Sequence, residues 1–155
     1  SVEASKAKLQ KAEYNIQLPR PMMAQKNYDF SFSGLKTAAL YKVKSDGRKS
    51  KNKKYIQEIS AEAQQAIGDV LIKKTLRAAK DFKAKTIILG GGVAANDELR
   101  NRFKFESSEI KVNFFVPPKN LCMDNGAMIA ITGYFHKNKP LKNLEKIKAD
   151  SNLRI

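Results

Sequence analysis

Residues 86–100 read TIILGGGVAANDELR. A β-branched run meets three glycines, Gly90, Gly91 and Gly92, and then a polar stretch that begins at Asn96. A turn at the carboxyl end of a strand needs bare backbone if a ligand is to come close. Glycine tolerates positive φ and lets backbone N–H groups approach without a Cβ in the way. A helix that starts just beyond such a turn attracts anions. The string therefore points to a phosphate or nucleotide at Gly90, Gly91 and Gly92. By residue type, Asn96 is a helix cap, with Asp97 and Glu98 favourably placed in a first helical turn. Asp124, taken alone, is an acid at a helix start. Cys122 and His136 lie fourteen positions apart and no third group supports them. Neither a Cys-His nor a Ser-His-Asp set is present, so covalent nucleophilic catalysis is not indicated.

Two common nucleotide signatures can be weighed. Gly90, Gly92 and Ala95 satisfy the spacing G-x-G-x-x-A of dinucleotide sites, which alone is a weak signal. That reading also needs an acid at the end of the next strand to hold a ribose. Here the strand ends in FFVPP, without Asp or Glu. No G-x-x-x-x-G-K-[ST] string occurs, so a P-loop is not indicated.

These residues need elements to position them. Residues 86–89 and the string KVNFFV before Pro117 and Pro118 read as strands. A helix between them runs to about Phe105, and LCMDNGAMIAITGYFHK reads as a helix with Asp124 or Asn125 near its start. Strand–helix–strand–helix order implies a parallel sheet with flanking helices, an α/β domain. From Lys53 to Phe82 the period is helical, with Ile56, Ile59, Ala63, Ile67, Leu71, Ala78 and Phe82 on one expected core face. Tyr28, Phe30 and Phe32 alternate with polar residues, the period of a strand. Ser33 is then the expected cap of the next helix. Residues 44–54, KSDGRKSKNKK, read as a basic surface loop, either simply solvated or in contact with phosphates. A short helix is expected over residues 2–11, and another, followed by a tail, over residues 140–155.

The 155 residues suit one domain. The chain opens with Ser1, in what reads as mid-helix, which suggests a piece of a longer protein. No apolar run approaches the roughly 18 residues of a membrane span. A single cysteine permits no internal disulfide, and a reducing, cytoplasmic setting is expected. The net charge is +15, from 30 basic and 15 acidic residues, and favours a polyanionic partner. Most of the basic residues are lysines, which attract phosphate as point charges and read few bases. Six of them, Lys73, Lys74, Arg77, Lys80, Lys83 and Lys85, crowd the end of the long helix, where the dipole favours cations.

Four strings in order carry a resemblance. YDFSFSGLKTA, VLIKKTLRAA, LGGGVAANDELR and LCMDNGAMIA are similar to blocks in the C-terminal half of the tRNA threonylcarbamoyladenosine synthase family, once called glycoproteases. Met123 stands where the family usually has Thr, and Gly126 where it usually has Ala. The resemblance implies one C-terminal lobe of an actin-like ATPase fold, shared with sugar kinases and heat-shock chaperones. It implies transfer of a threonylcarbamoyl group from threonylcarbamoyl-AMP to N6 of adenosine 37 in tRNAs that read A-starting codons. Asn96 matches the family's adenylate-contacting asparagine, and an ATP- or ADP-type nucleotide is expected in the cleft. Asp124 matches a ligand of one divalent metal ion, iron or zinc. Its histidine partners belong to an H-x-x-x-H helix in the first half of the family, so the metal site and the catalytic set are incomplete within these residues. The one histidine here, His136, is expected at the surface or at a helix cap.

The expected partners are tRNA, with Lys49, Lys51, Lys53 and Lys54 as candidate contacts, and the proteins of the threonylcarbamoyladenosine-synthesis complex. No membrane is expected. The alternative is a non-catalytic RNA-binding or scaffold module of the same fold.

Overall fold

The computed structural model describes residues 13–137, so the helices expected over residues 2–11 and 140–155 lie outside the described residues. The order is α1 (Ser33–Asp46), a 3-10 turn (Gly47–Lys51), α2 (Lys53–Asp81), β1 (Thr86–Ile88) and a 3-10 turn (Gly92–Ala95). Then follow α3 (Asp97–Glu109), β2 (Asn113–Phe115), a 3-10 turn (Lys119–Leu121) and α4 (Gly126–Phe135). The two strands pair in parallel, with Ile87 opposite Phe114 and Ile88 opposite Phe115. This is the α/β arrangement that the sequence implies, with α3 as the crossover.

Successive strand residues point to opposite faces. Ile87 therefore packs inward with Ile72, Leu76 and Ala79 of α2 and with Leu99 and Phe103 of α3. Phe103 stacks on Phe114, ring centroids 5.7 Å apart. Ile88 and Phe115 point the other way and are exposed, as are Ile129, Ile131, Tyr134 and Phe135 of α4. Among the described residues this apolar surface is uncovered.

A second cluster joins Ile16, Leu18, Leu35, Tyr55 and Ala66. Helix α2 thus packs on two sides, and its inward positions differ from a single stripe. Tyr55, Ala66, Val70, Ile72, Leu76 and Ala79 are buried, whereas Ile56 and Phe82, expected in the core, are exposed. Ile59, Ala63, Ile67, Leu71 and Ala78 are half-buried.

Residues 28–32 are not a strand, despite their alternation. The buried Lys74 supplies the reason. Its ammonium donates to Met22 O at 3.1 Å, Asn27 Oδ1 at 3.1 Å and Asp29 O at 2.6 Å. Arg77 donates to Asn27 O. Cations of α2 thus take carbonyls that a ladder would otherwise use. Two members of the cationic helix end therefore have internal work.

Helix α1 begins at Ser33, so the cap position falls on Phe32 and no side chain caps it. The expected loop at 44–54 is also largely helical. Helix α1 runs through to Asp46, supported by the Lys42–Asp46 ion pair at 3.0 Å. Gly47, with φ of +52°, turns the chain. Asn52 then caps α2 by accepting from Lys54 N at 2.8 Å.

Candidate functional site

Strand β1 delivers the glycines to the carboxyl edge of the sheet. Leu89 N still donates to Phe115 O at 2.9 Å, and the ladder ends there. Gly91 has φ of +85°, in the region that favours glycine. A Cβ built on Gly90, Gly91 or Gly92 would meet nothing within 4 Å. The turn thus faces open space that side chains would otherwise fill. Ala94, fully buried, anchors the 3-10 turn that follows.

Asn96 caps α3. Its Oδ1 accepts from Leu99 N at 2.9 Å, and its Nδ2 donates to Gln64 Oε1 of α2 at 3.0 Å. The capping predicted from residue type is realised. An asparagine amide offers two donors and two acceptor lone pairs. One of each remains, so capping and ligand contact are compatible. Asp97 and Glu98 occupy the first turn of α3, with no basic residue in its last turn.

A cavity of about 280 Å³ opens beside Asn96, between α2 and α3. Ile67, Val93 and Leu99 give it apolar walls, and Gln64, Asn96, Glu98 and Arg102 give it polar ones, one acid against one base. Its size is near the lower end of the ~300–1,000 Å³ typical of small-molecule sites, enough for a flat group of nucleobase size. Arg102 is held by Asp69 at 2.7 Å. Asp69 also pairs with Arg20, which in turn binds Glu62. This chain of alternating charges fixes the cavity wall to the segment before α1. Contact with Glu62 holds the Arg20 guanidinium above its ordinary pKa.

Asp124 lies on the loop that leaves β2, the strand beside β1. Both loops depart from the carboxyl ends of parallel strands, where ligands of open α/β sheets bind. Arg100 ties them together. It donates to Ala94 O on the first loop, and to Pro117 O at 2.6 Å and Cys122 Sγ at 3.0 Å on the second. A second, exposed tie joins Lys119 to Asp97 at 2.6 Å. Asn125, rather than Asp124, caps α4 by accepting from Met128 N at 3.1 Å. Asp124 is exposed, and no three metal-ligating side chains gather among the described residues. Cys122 is buried, and His136 is exposed at the C-cap of α4.

The sequence singles out the glycines, Asn96 and Asp124, which the structure places on two adjacent loops, but not Gln64, Arg100 or Arg102, which pack around them. Arg100 had one available signal: it stands four residues after Asn96, on the same helical face. Gln64 had none, being thirty-two positions away. The candidate cations separate. Lys54 pairs with Glu13 at 2.7 Å, while Lys49, Lys51 and Lys53 are exposed around the start of α2.

Residues 2–131 match the family model of tRNA N6-adenosine threonylcarbamoyltransferase. The chain belongs to the tRNA N6-adenosine threonylcarbamoyltransferase family. Curated relatives bearing that name include one from Thermosipho africanus, 43% identical over 143 residues, covering 92% of this chain and 42% of the relative. One from Desulfotalea psychrophila is 45% identical over 129 residues, 81% of this chain and 37% of the relative. The chain therefore spans about two fifths of the length of these relatives. The part matched to the threonylcarbamoyltransferase family contains the glycine turn, Asn96, Arg100, the cavity and Asp124. No helix among the described residues is long and apolar enough to cross a membrane.

Proposed function

We propose that this chain is the C-terminal, adenylate-binding lobe of a tRNA threonylcarbamoyltransferase with an actin-like fold. The observation that carries the proposal is the glycine turn and Asn96 beside a nucleobase-sized cavity, within the family-matched region. The apolar sheet face and α4, uncovered among the described residues, fit a lobe that packs against more protein.

In the reaction, N6 of adenosine 37 attacks the carbonyl carbon of threonylcarbamoyl-AMP. The carbon–oxygen bond to phosphate breaks, AMP leaves, and the N6 proton passes to solvent or phosphate. This chain's residues bind and orient the adenylate. Gly91 and Gly92 admit its backbone-facing edge, the cavity takes the base, and the remaining donor and acceptor of Asn96 fix its pose. The same site accepts an ATP- or ADP-type nucleotide. Positioning of this kind lowers the barrier without covalent participation.

Asp124 suits one ligand of a divalent ion, iron or zinc: its carboxylate is exposed and has no partner among the described residues. One carboxylate does not make a metal site, and no other ligand joins it among the described residues. Such an ion would polarise a phosphate or carbonyl oxygen. The partners are tRNA and the proteins of the modification complex, in the cytoplasm.

The test is calorimetric titration of the chain with a non-hydrolysable threonylcarbamoyl-adenylate analogue. Binding by the native chain and roughly tenfold or weaker binding by Asn96→Ala is expected, from the loss of about one to two hydrogen bonds. Equal affinity of the two would remove Asn96 from the site. RNA binding with no nucleotide binding, here and in a longer chain with the relatives' full span, would favour the non-catalytic module instead. The charge of +15 is the observation behind that second reading.

A further inference from the structure

The corner where α1 turns into α2 carries a charge that its own structure does not explain. Residues 33–54 hold eight cations, Lys36, Lys42, Lys44, Arg48, Lys49, Lys51, Lys53 and Lys54, against one carboxylate, Asp46. That carboxylate is spent: Asp46 accepts from Lys42 at 3.0 Å and from Tyr55 Oη at 2.6 Å. Lys54 is engaged by Glu13. Lys44, Arg48, Lys49, Lys51 and Lys53 are exposed.

Lys44, in the last turn of α1, and Arg48, just beyond it, lie at the negative end of the α1 dipole, which accounts for them locally. Lys51 and Lys53 are different. They flank the cap Asn52 at the positive end of a 29-residue helix whose first turn has no acidic residue. The dipole disfavours cations there, so the helix itself does not account for them, and an anion at that end would be held by both. Tyr41 adds a second kind of contact. It is 64% exposed, with its ring in solvent, and Lys44 lies three residues on, along the same helical face. An exposed aromatic between cations is a platform on which an unpaired base can stack while its phosphates are held.

We infer that this corner is an RNA-binding face: Lys49, Lys51 and Lys53 hold backbone phosphates, and Tyr41 stacks an unpaired base. The inference rests on the tRNA reading above and deepens it. The face is separate from the candidate chemistry. Lys53 and Gln64 are eleven residues apart on α2, about 16 Å along the axis. Contacts here position an RNA and leave the cavity at Asn96 open.

The experiment uses the whole 155-residue chain and fluorescence anisotropy with two RNAs of equal length. One is a hairpin with an unpaired loop, the other a blunt duplex. Circular dichroism checks that each variant folds. Lys51→Glu combined with Lys53→Glu is expected to weaken both RNAs by about tenfold or more and to flatten the salt dependence. Tyr41→Ala is expected to weaken the hairpin by about tenfold and to leave the duplex within about twofold. Lys83→Glu combined with Lys85→Glu, at the far end of α2, serves as control and should change little.

Native-like RNA binding by the corner variant would overturn the inference, as would an equal loss in the control. An equal effect of Tyr41→Ala on both RNAs would also overturn it. A native chain that binds neither RNA would do the same and leave an acidic protein as the partner. Binding of the adenylate analogue separates the two proposals. Its retention by the corner variant is expected. Its absence from every protein, with RNA binding still centred on the corner, would overturn the nucleotide reading alone.

Discussion

Arg102 Nη1 lies 2.8 Å from where Gly68 would carry a Cβ. The absence of that methyl lets the guanidinium lie against α2 and reach Asp69 while it walls the cavity beside Asn96. A glycine inside a helix costs about 1 kcal/mol relative to alanine. The contact with Arg102 is what α2 gains in return. Gly68→Ala should therefore change stability little, within about 1 kcal/mol, because the helix gain and the displaced guanidinium oppose each other. Adenylate binding should fall as Arg102 swings off Asp69. Urea unfolding and calorimetry on the same variant check both halves. Unchanged binding would show that the Arg102 position is immaterial to the cavity.

Arg100 is expected to matter more for shape than for chemistry. Arg100→Ala leaves Ala94 O and Pro117 O without their charged donor, at a cost of about 2 kcal/mol. It also uncovers the buried Cys122 thiol. The expected result is a lower urea midpoint and faster thiol labelling of the variant. Labelling at the native rate would mean the loops hold together without the guanidinium.

Lys74 is buried among oxygens rather than beside a carboxylate. Lys74→Met keeps the apolar stem but leaves the carbonyls of Met22 and Asp29 unpaired, a loss of about 3 kcal/mol. Limited proteolysis should then cut in residues 22–29 well before the rest of the chain. Resistance there equal to the native chain would contradict the pinning role.

The pH dependence has two ends. Burial, followed by the hydrogen bond to Asp46, pushes the Tyr55 phenol from 10.0 to about 12. Its protonated form is thus favoured by folding. That stability is complete below pH 10 and is lost as pH rises through about 12. The hydrogen bond from Tyr55, then that from Lys42, lowers the Asp46 carboxyl below its ordinary 3.8. Its contribution is present above 3.8 and is lost as pH falls through the lowered value. Tyrosinate absorbance should show Tyr55 titrating last of the five tyrosines. Tyr55→Phe should delete that late step. A single transition of all tyrosines near 10 would refute the assignment.

The local parts of the fold were open to reading because they are set by neighbours in sequence. Thr86, Ile87 and Ile88 are β-branched and stop at glycine, and the strand is there. Lys53 to Asp81 keeps a helical period, and the helix is there. The alternation of Tyr28, Phe30 and Phe32 misled because its partners are Lys74 and Arg77, some fifty positions on. The basic segment after Lys44 lacks apolar periodicity, yet it folds around Asp46, whose partners on α1 and α2 fix the corner. In the site, Asn96 announced itself as a cap. Gln64 and Arg102 did not, since nothing local tells which residues of two distant helices will face each other.

The Arg100 strap makes the glycine turn and the Asp124 loop one lever. If the proposed nucleotide at the turn and a cation at the carboxylate both bind, this strap predicts reciprocal linkage, each changing the other's affinity by the same factor. Arg100→Ala is then expected to make the two affinities independent of each other.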